Sequence, residues 1–155
     1  MYLGGMKTTP VLSTIDSRQR TILLTAAVLG LLGLIFGVFG AHTFKHRITA
    51  EDYRDYEKGV QYHYLFTGMI FILGILYGWL RDAKGLYGVF MLFAVGTVLF
   101  SGSLYLIATA PVSGLTVPYF LFLVTPLGGF CFLGGWIWLV LIFARMKTTS
   151  DKFDD

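Results

Sequence analysis

Three histidines, Gln61 and a few hydroxyl groups are the side chains with which this sequence could do chemistry, and most of them lie inside or beside long apolar runs. His42 and His46 stand four apart, a spacing that turns both imidazoles to one helix face and would suit a metal ion, and His63 could approach them across the segment between. No Cys, Asp or Glu completes such a set at a fixed spacing, so no metal site and no cofactor are expected. Ser101 sits in FSGSL rather than in G-x-S-x-G, and the sequence has no nucleophile–base pair, phosphate-cradling loop or dinucleotide fingerprint. The expectation is that the protein is not an enzyme. The single cysteine, Cys131, has no intrachain partner and reads as a small apolar packing residue.

The elements that carry these groups follow from composition. The 155-residue chain is 55% apolar, 17% aromatic and 14% charged, where a soluble domain carries about 25% charge, and its mean hydropathy is +0.70. A helix needs about 20 apolar residues to cross a hydrocarbon layer. Four stretches without Asp, Glu, Lys or Arg meet that length: 21–41, 62–80, 86–109 and 119–144. The first is too long for a signal h-region and has no A-x-A site after it, so it reads as a retained span. The runs are continuous rather than alternating, which excludes barrel strands. The expected fold is therefore all-α, a polytopic four-transmembrane-helix bundle, with a polar arm at 1–20, the membrane domain at 21–144 and a polar tail at 145–155. Net charge is +3. The basic residues flank apolar runs and form no cluster interleaved with aromatics, so nucleic acid is not an expected partner.

Cation placement sets the expected orientation. Lys7, Arg18 and Arg20, then Arg81 and Lys84, then Arg145, Lys147 and Lys152 share one side of a four-span chain, while Lys45, Arg47, Arg54 and Lys58 lie on the other. Eight against four puts both termini in the cytoplasm, with Trp79 and Trp138 in the inner aromatic belt. The four outer cations are diluted by Glu51, Asp52, Asp55 and Glu57.

Residues 48–60, ITAEDYRDYEKGV, predict a short interfacial helix in the first loop that runs into the second span. Thr49 with Asp52 resembles a capping box, acidic residues fill the first turn, and Tyr53, Tyr56 and Val60 form one apolar stripe. Small residues let membrane helices approach closely. Gly30, Gly33, Gly37 and Gly40 follow one face of the first span; Gly74 and Gly78 form G-x-x-x-G in the second; Gly128, Gly129, Gly134 and Gly135 crowd the fourth. They predict close packing inside the bundle, or self-association.

Taking the centre of each span as the midplane, at about 1.5 Å per residue, the polar groups gather in the outer half of the bilayer. Ser101 and Ser103 fall roughly 5–10 Å out, Thr125 and Pro126 about 8–10 Å, and Gln61 and His63 roughly 12–15 Å, with Gly40 and His42 similar. Lipid offers such groups no partners. One expectation is an inter-helix hydrogen-bond cluster of Gln61 and His63 with Ser101, Ser103 and carbonyls freed by Pro126. The other is a small outward pocket for a lipid head group, a quinone or a small solute. No membrane carboxylate is present to relay protons.

FGVFGAHTFK (36–45), YEKGVQYHYLF (56–66), LFSGSLYLIA (99–108) and TPLGGFCFLGGW (125–136) resemble, in that order, the family of small membrane proteins known as domain of unknown function 423. The resemblance spans roughly 22–143. It implies a four-helix membrane protein of a bacterial plasma (inner) membrane or a mitochondrial inner membrane, and no established activity. The residues it matches are Gly40, Ala41, His42, Gln61, His63, Ser101, Gly102, Ser103, Thr125, Pro126, Gly128 and Gly129, carried over as candidate site residues without roles. Two functions are expected: a non-enzymatic accessory subunit beside a larger membrane complex, or a small binder or carrier of a lipid-like or quinone-like molecule.

Overall fold

In a computed structural model, which describes residues 15–80 and 84–146, the chain forms four long helices. They are α1 (Ser17–Phe39), continued by a π-helical turn (Gly40–Phe44), α2 (Ala50–Trp79), α3 (Lys84–Ser113) and α4 (Leu121–Ala144). All four are long and apolar enough to cross a membrane, and no strand occurs among the described residues. Lys7, Arg81, Lys147 and Lys152 lie outside those residues.

Local chemistry sets the helix ends. Asp16 caps α1 by accepting the Arg18 amide at 3.0 Å. Thr49 caps α2: its hydroxyl accepts the Asp52 amide at 3.1 Å and donates to the Asp52 carboxylate at 2.7 Å. Gly114, at φ +68°, supplies the left-handed residue after α3. The helix expected at 48–60 forms and, as expected, runs into the second span. Nothing breaks the backbone between Ala50 and Trp79, so the capped, charged segment is simply the first turns of α2.

The helices lie in a row in chain order. α2 packs between α1 and α3, α4 packs along α3, and α1 meets α3 at only a few positions. The core runs along this row: Ile22, Ala26 and Leu29 of α1, Phe66, Ile70 and Leu73 of α2, Leu86, Val89 and Phe93 of α3, Phe132 and Leu139 of α4. Phe66 and Phe132 stack with centroids 3.5 Å apart, which ties α2 to α4 across α3.

Neighbouring helices are antiparallel, and side-chain contacts fix their register. Gln19 donates to the Gly74 carbonyl at 3.1 Å. A Cβ on Gly30 would stand 3.7 Å from the Thr67 methyl, one on Gly33 3.4 Å from the His63 ring, and one on Gly40 against the Tyr56 ring. Leu31, the middle of the uncharged run in α1, is thus level with Leu65, not with the middle of 62–80. His63 is thus level with Gly33, two residues from the middle of the uncharged run in α1 and eight from the middle of 62–80.

Candidate functional site

The stripe Tyr56, Gly59, His63, Phe66, Ile70 and Leu73 runs down the buried face of α2 at alternating steps of three and four. It aims His63 between α1 and α3. His63 Nε2 lies 2.8 Å from the Leu29 carbonyl, and Nδ1 lies 3.2 Å from the Tyr105 hydroxyl. A carbonyl can only accept, so Nε2 carries the hydrogen; in the neutral ring Nδ1 is then the acceptor and Tyr105 the donor. One imidazole thereby joins α1, α2 and α3. Tyr105 also packs on Phe36 at 4.7 Å and on Tyr56 at 4.9 Å between ring centroids. Tyr56 in turn donates to the Phe36 carbonyl at 2.7 Å. Neither tyrosine was expected from the sequence as a polar partner, although both sit in helical phase with residues that were: Tyr56 seven before His63, Tyr105 four after Ser101.

The expected single cluster is instead two separate pairs. Residues two apart on a helix point about 200° from one another and do not share a face. Ser103 accordingly turns from Ser101 toward α4. It donates to the Phe100 carbonyl at 2.9 Å and stands 2.6 Å from the Thr125 hydroxyl. Ser101 is buried, and its hydroxyl has no hydrogen-bond partner; the same holds for Thr67. By the same geometry Gln61 turns away from His63. It is exposed and lines a different recess of about 200 Å³, against the π-helical turn, with Gly40, Tyr53, Tyr56 and Glu57. Pro126 is exposed, and Ser103 bonds to Phe100 rather than to a carbonyl freed by that proline. His42 and His46 are exposed at the turn between α1 and α2 while His63 is buried. Among the described residues no three His, Cys, Asp or Glu side chains gather where they could hold a metal.

Because α1 and α3 barely touch, they leave a groove floored by α2. Its volume is about 320 Å³, and it is lined by Leu29, Leu32 and Phe36 of α1, His63 of α2, and Thr97, Val98, Gly102, Tyr105 and Leu106 of α3. Leu32, Val98 and Leu106 are exposed at its rim, which in a bilayer is a lipid-facing opening. The groove is apolar except where His63, Tyr105 and Thr97 line it.

The packing glycines face neighbouring helices. Cβ atoms on Gly33 and Gly37 would press on Tyr64, one on Gly74 on Leu23, one on Gly78 on Gln19, and one on Gly128 on the Phe100 backbone. Gly30 is in ordinary contact with Thr67, and a Cβ on Gly129 would meet nothing within 4 Å.

Residues 36–129, which include His63, Ser101, Tyr105 and Thr125, match a family described as protein of unknown function (DUF423). The chain is 35% identical over 130 residues to the UPF0382 inner membrane protein YgdD of Escherichia coli (strain K12), covering 83% of this chain and 93% of that protein. It is 31% identical over 123 residues to the UPF0382 membrane protein YwdK of Bacillus subtilis (strain 168), covering 79% and 95%. A third relative, the UPF0382 membrane protein SH2409 of Staphylococcus haemolyticus, is 30% identical over 124 residues, covering 79% and 94%. No solved structure matches the chain.

Proposed function

The chain belongs to the DUF423 family of membrane proteins, and from that premise we propose that this multi-pass protein is a non-enzymatic binder or carrier of a lipid-like or quinone-like molecule, held in the groove between α1 and α3. The observation that supports this is the groove itself. It is about 320 Å³, opens sideways toward lipid, and meets polar side chains only at its floor and α3 wall, on His63, Thr97 and Tyr105. Ligand sites are mostly apolar concavities with a few placed polar groups. A catalytic role draws no support from His63, because both ring nitrogens are already engaged in inter-helix bonds.

Gly102 gives a clean test. It lines the groove, and a Cβ there would meet nothing within 4 Å, so Gly102→Leu starts a side chain into the open space of the groove. Protein purified from its own membrane in mild detergent should carry an apolar molecule near one per chain. The variant should lose it while unfolding at the same denaturant concentration. Wild-type protein free of any such molecule, or a variant that retains it, would reject the proposal.

An accessory role beside a larger complex draws less support, since Gly33, Gly37, Gly74, Gly78 and Gly128 face helices of the same chain and would not serve a partner. In the proposed orientation both termini lie in the cytoplasm of a bacterial inner membrane (in a eukaryotic cell, inside the mitochondrial inner membrane), on the strength of the cation asymmetry in the sequence. Alkaline phosphatase fused after the last residue should be inactive in that orientation and active in the reverse one.

A further inference from the structure

We infer that the groove between α1 and α3 selects molecules that carry a hydroxyl group, such as long-chain or isoprenoid alcohols and quinols, over their carbonyl or ether counterparts. This rests on the groove being a binding site, and it narrows what that site takes.

Donors and acceptors decide the selectivity. Three side chains with polar hydrogens line the groove, and each spends its hydrogen inside the protein. His63 Nε2–H goes to the Leu29 carbonyl at 2.8 Å. The Tyr105 O–H goes to His63 Nδ1 at 3.2 Å. The Thr97 O–H goes to the Phe93 carbonyl at 2.8 Å. The Gly102 amide belongs to the helical ladder of α3. Ser101 and Thr67 have unpaired hydroxyls, but neither lines the groove.

What remains is acceptor capacity. A tyrosine or threonine oxygen that donates one bond still has lone pairs to accept another. A ketone or quinone oxygen entering the groove would meet only acceptors, and its desolvation would go unrewarded. A hydroxyl can donate to the Tyr105 oxygen. At roughly 30 Å³ per small group, about 320 Å³ holds about ten non-hydrogen atoms. That is the head and first carbons of a longer chain, whose remainder runs out between the exposed rim residues Leu32 and Val98 into lipid.

The test uses two probes of the same length, hexadecanol with a diazirine near its hydroxyl end and the methyl ether of that molecule. Each is added to the full chain in lipid nanodiscs, irradiated, and the labelled residues mapped by mass spectrometry. The alcohol should label Leu32, Val98 and Leu106 about tenfold more than the ether, the weight of roughly one hydrogen bond. Gly102→Leu, which removes no polar group, should abolish groove labelling by both probes. Equal labelling of the groove by alcohol and ether in wild-type protein, with loss in Gly102→Leu, would overturn the hydroxyl selectivity and leave the binding site standing. Labelling at Leu32, Val98 and Leu106 no stronger than at exposed α4 residues such as Phe130 would overturn both.

Discussion

The Tyr105 hydroxyl stands 3.2 Å from Nδ1 of His63, joining side chains 42 positions apart in the chain at a level close to the middle of the uncharged run of α1. The opposite nitrogen of the same ring holds the Leu29 carbonyl. The imidazole thus connects the three helices that form the groove, and it is buried at 4% exposure.

The energetic weight of that connection is measurable. Tyr105→Phe keeps the ring against Phe36 and Tyr56 but strips Nδ1 of its donor. It should cost about 1 kcal/mol, and His63→Ala about 2–4 kcal/mol through lost bonds and a cavity. Inter-helix hydrogen bonds in membranes couple by about 0.6 kcal/mol on average and up to about 1.7. A double-mutant cycle by detergent unfolding should give a coupling in that range, and a value of zero would mean the two groups do not bond in the folded protein.

Ser101 and Ser103 should respond in opposite directions to the same substitution. The Ser101 hydroxyl is buried without a partner, so Ser101→Ala removes an unsatisfied group and should leave stability unchanged or raise it by about 1 kcal/mol. Ser103→Ala removes the bond to Phe100 and strands the Thr125 hydroxyl, at a cost of about 1–2 kcal/mol. Unfolding curves that shift equally for both would contradict the two environments.

Depth is open to a direct check. Leu31, Leu65, Val98 and Phe130 are each more than half exposed, at 60%, 56%, 62% and 67%, and the helix register places all four near one plane. Nitroxides attached to cysteines at these positions should show the highest ratio of oxygen to polar-quencher access on their helices. If a label at Phe71 reads deeper than one at Leu65, α1 and α2 do not pair in the register that sets Gly33 against His63.

The four spans and the Thr49 cap were legible because they depend on local composition and spacing. The site was only half legible. Gln61 with His63, and Ser101 with Ser103, lie close in sequence, and that proximity suggested one cluster. The helical period sends members of each pair to different faces, so Gln61 reaches the recess against the π-helical turn and Ser103 reaches Thr125. Tyr105 escaped notice because an aromatic in an apolar run reads as packing surface, and Tyr56 reads only as part of the apolar stripe with Tyr53 and Val60. Only the pairing of α2 with α3 and α1 shows their hydroxyls to be the partners of His63 and Phe36. The groove was not legible at all, since it arises from what α1 fails to touch.

Two adjacent glycines on α4 give the sharpest test of the packing. A Cβ on Gly128 would stand 2.5 Å from the Phe100 amide nitrogen and 2.9 Å from its Cα. Those are backbone atoms, so the strain can be relieved only by parting α3 from α4, which would also stretch the 2.6 Å contact between Ser103 and Thr125. Gly128→Ala should therefore cost about 2–3 kcal/mol, the upper end for overpacking. At Gly129 a Cβ meets nothing within 4 Å, and alanine is the better helix former by about 1 kcal/mol. Gly129→Ala should be neutral or stabilising by up to that amount. Detergent-unfolding midpoints that fall together for the two variants would show that α3 and α4 do not approach through Gly128, and the register that brings Ser103 to Thr125 would fall with it.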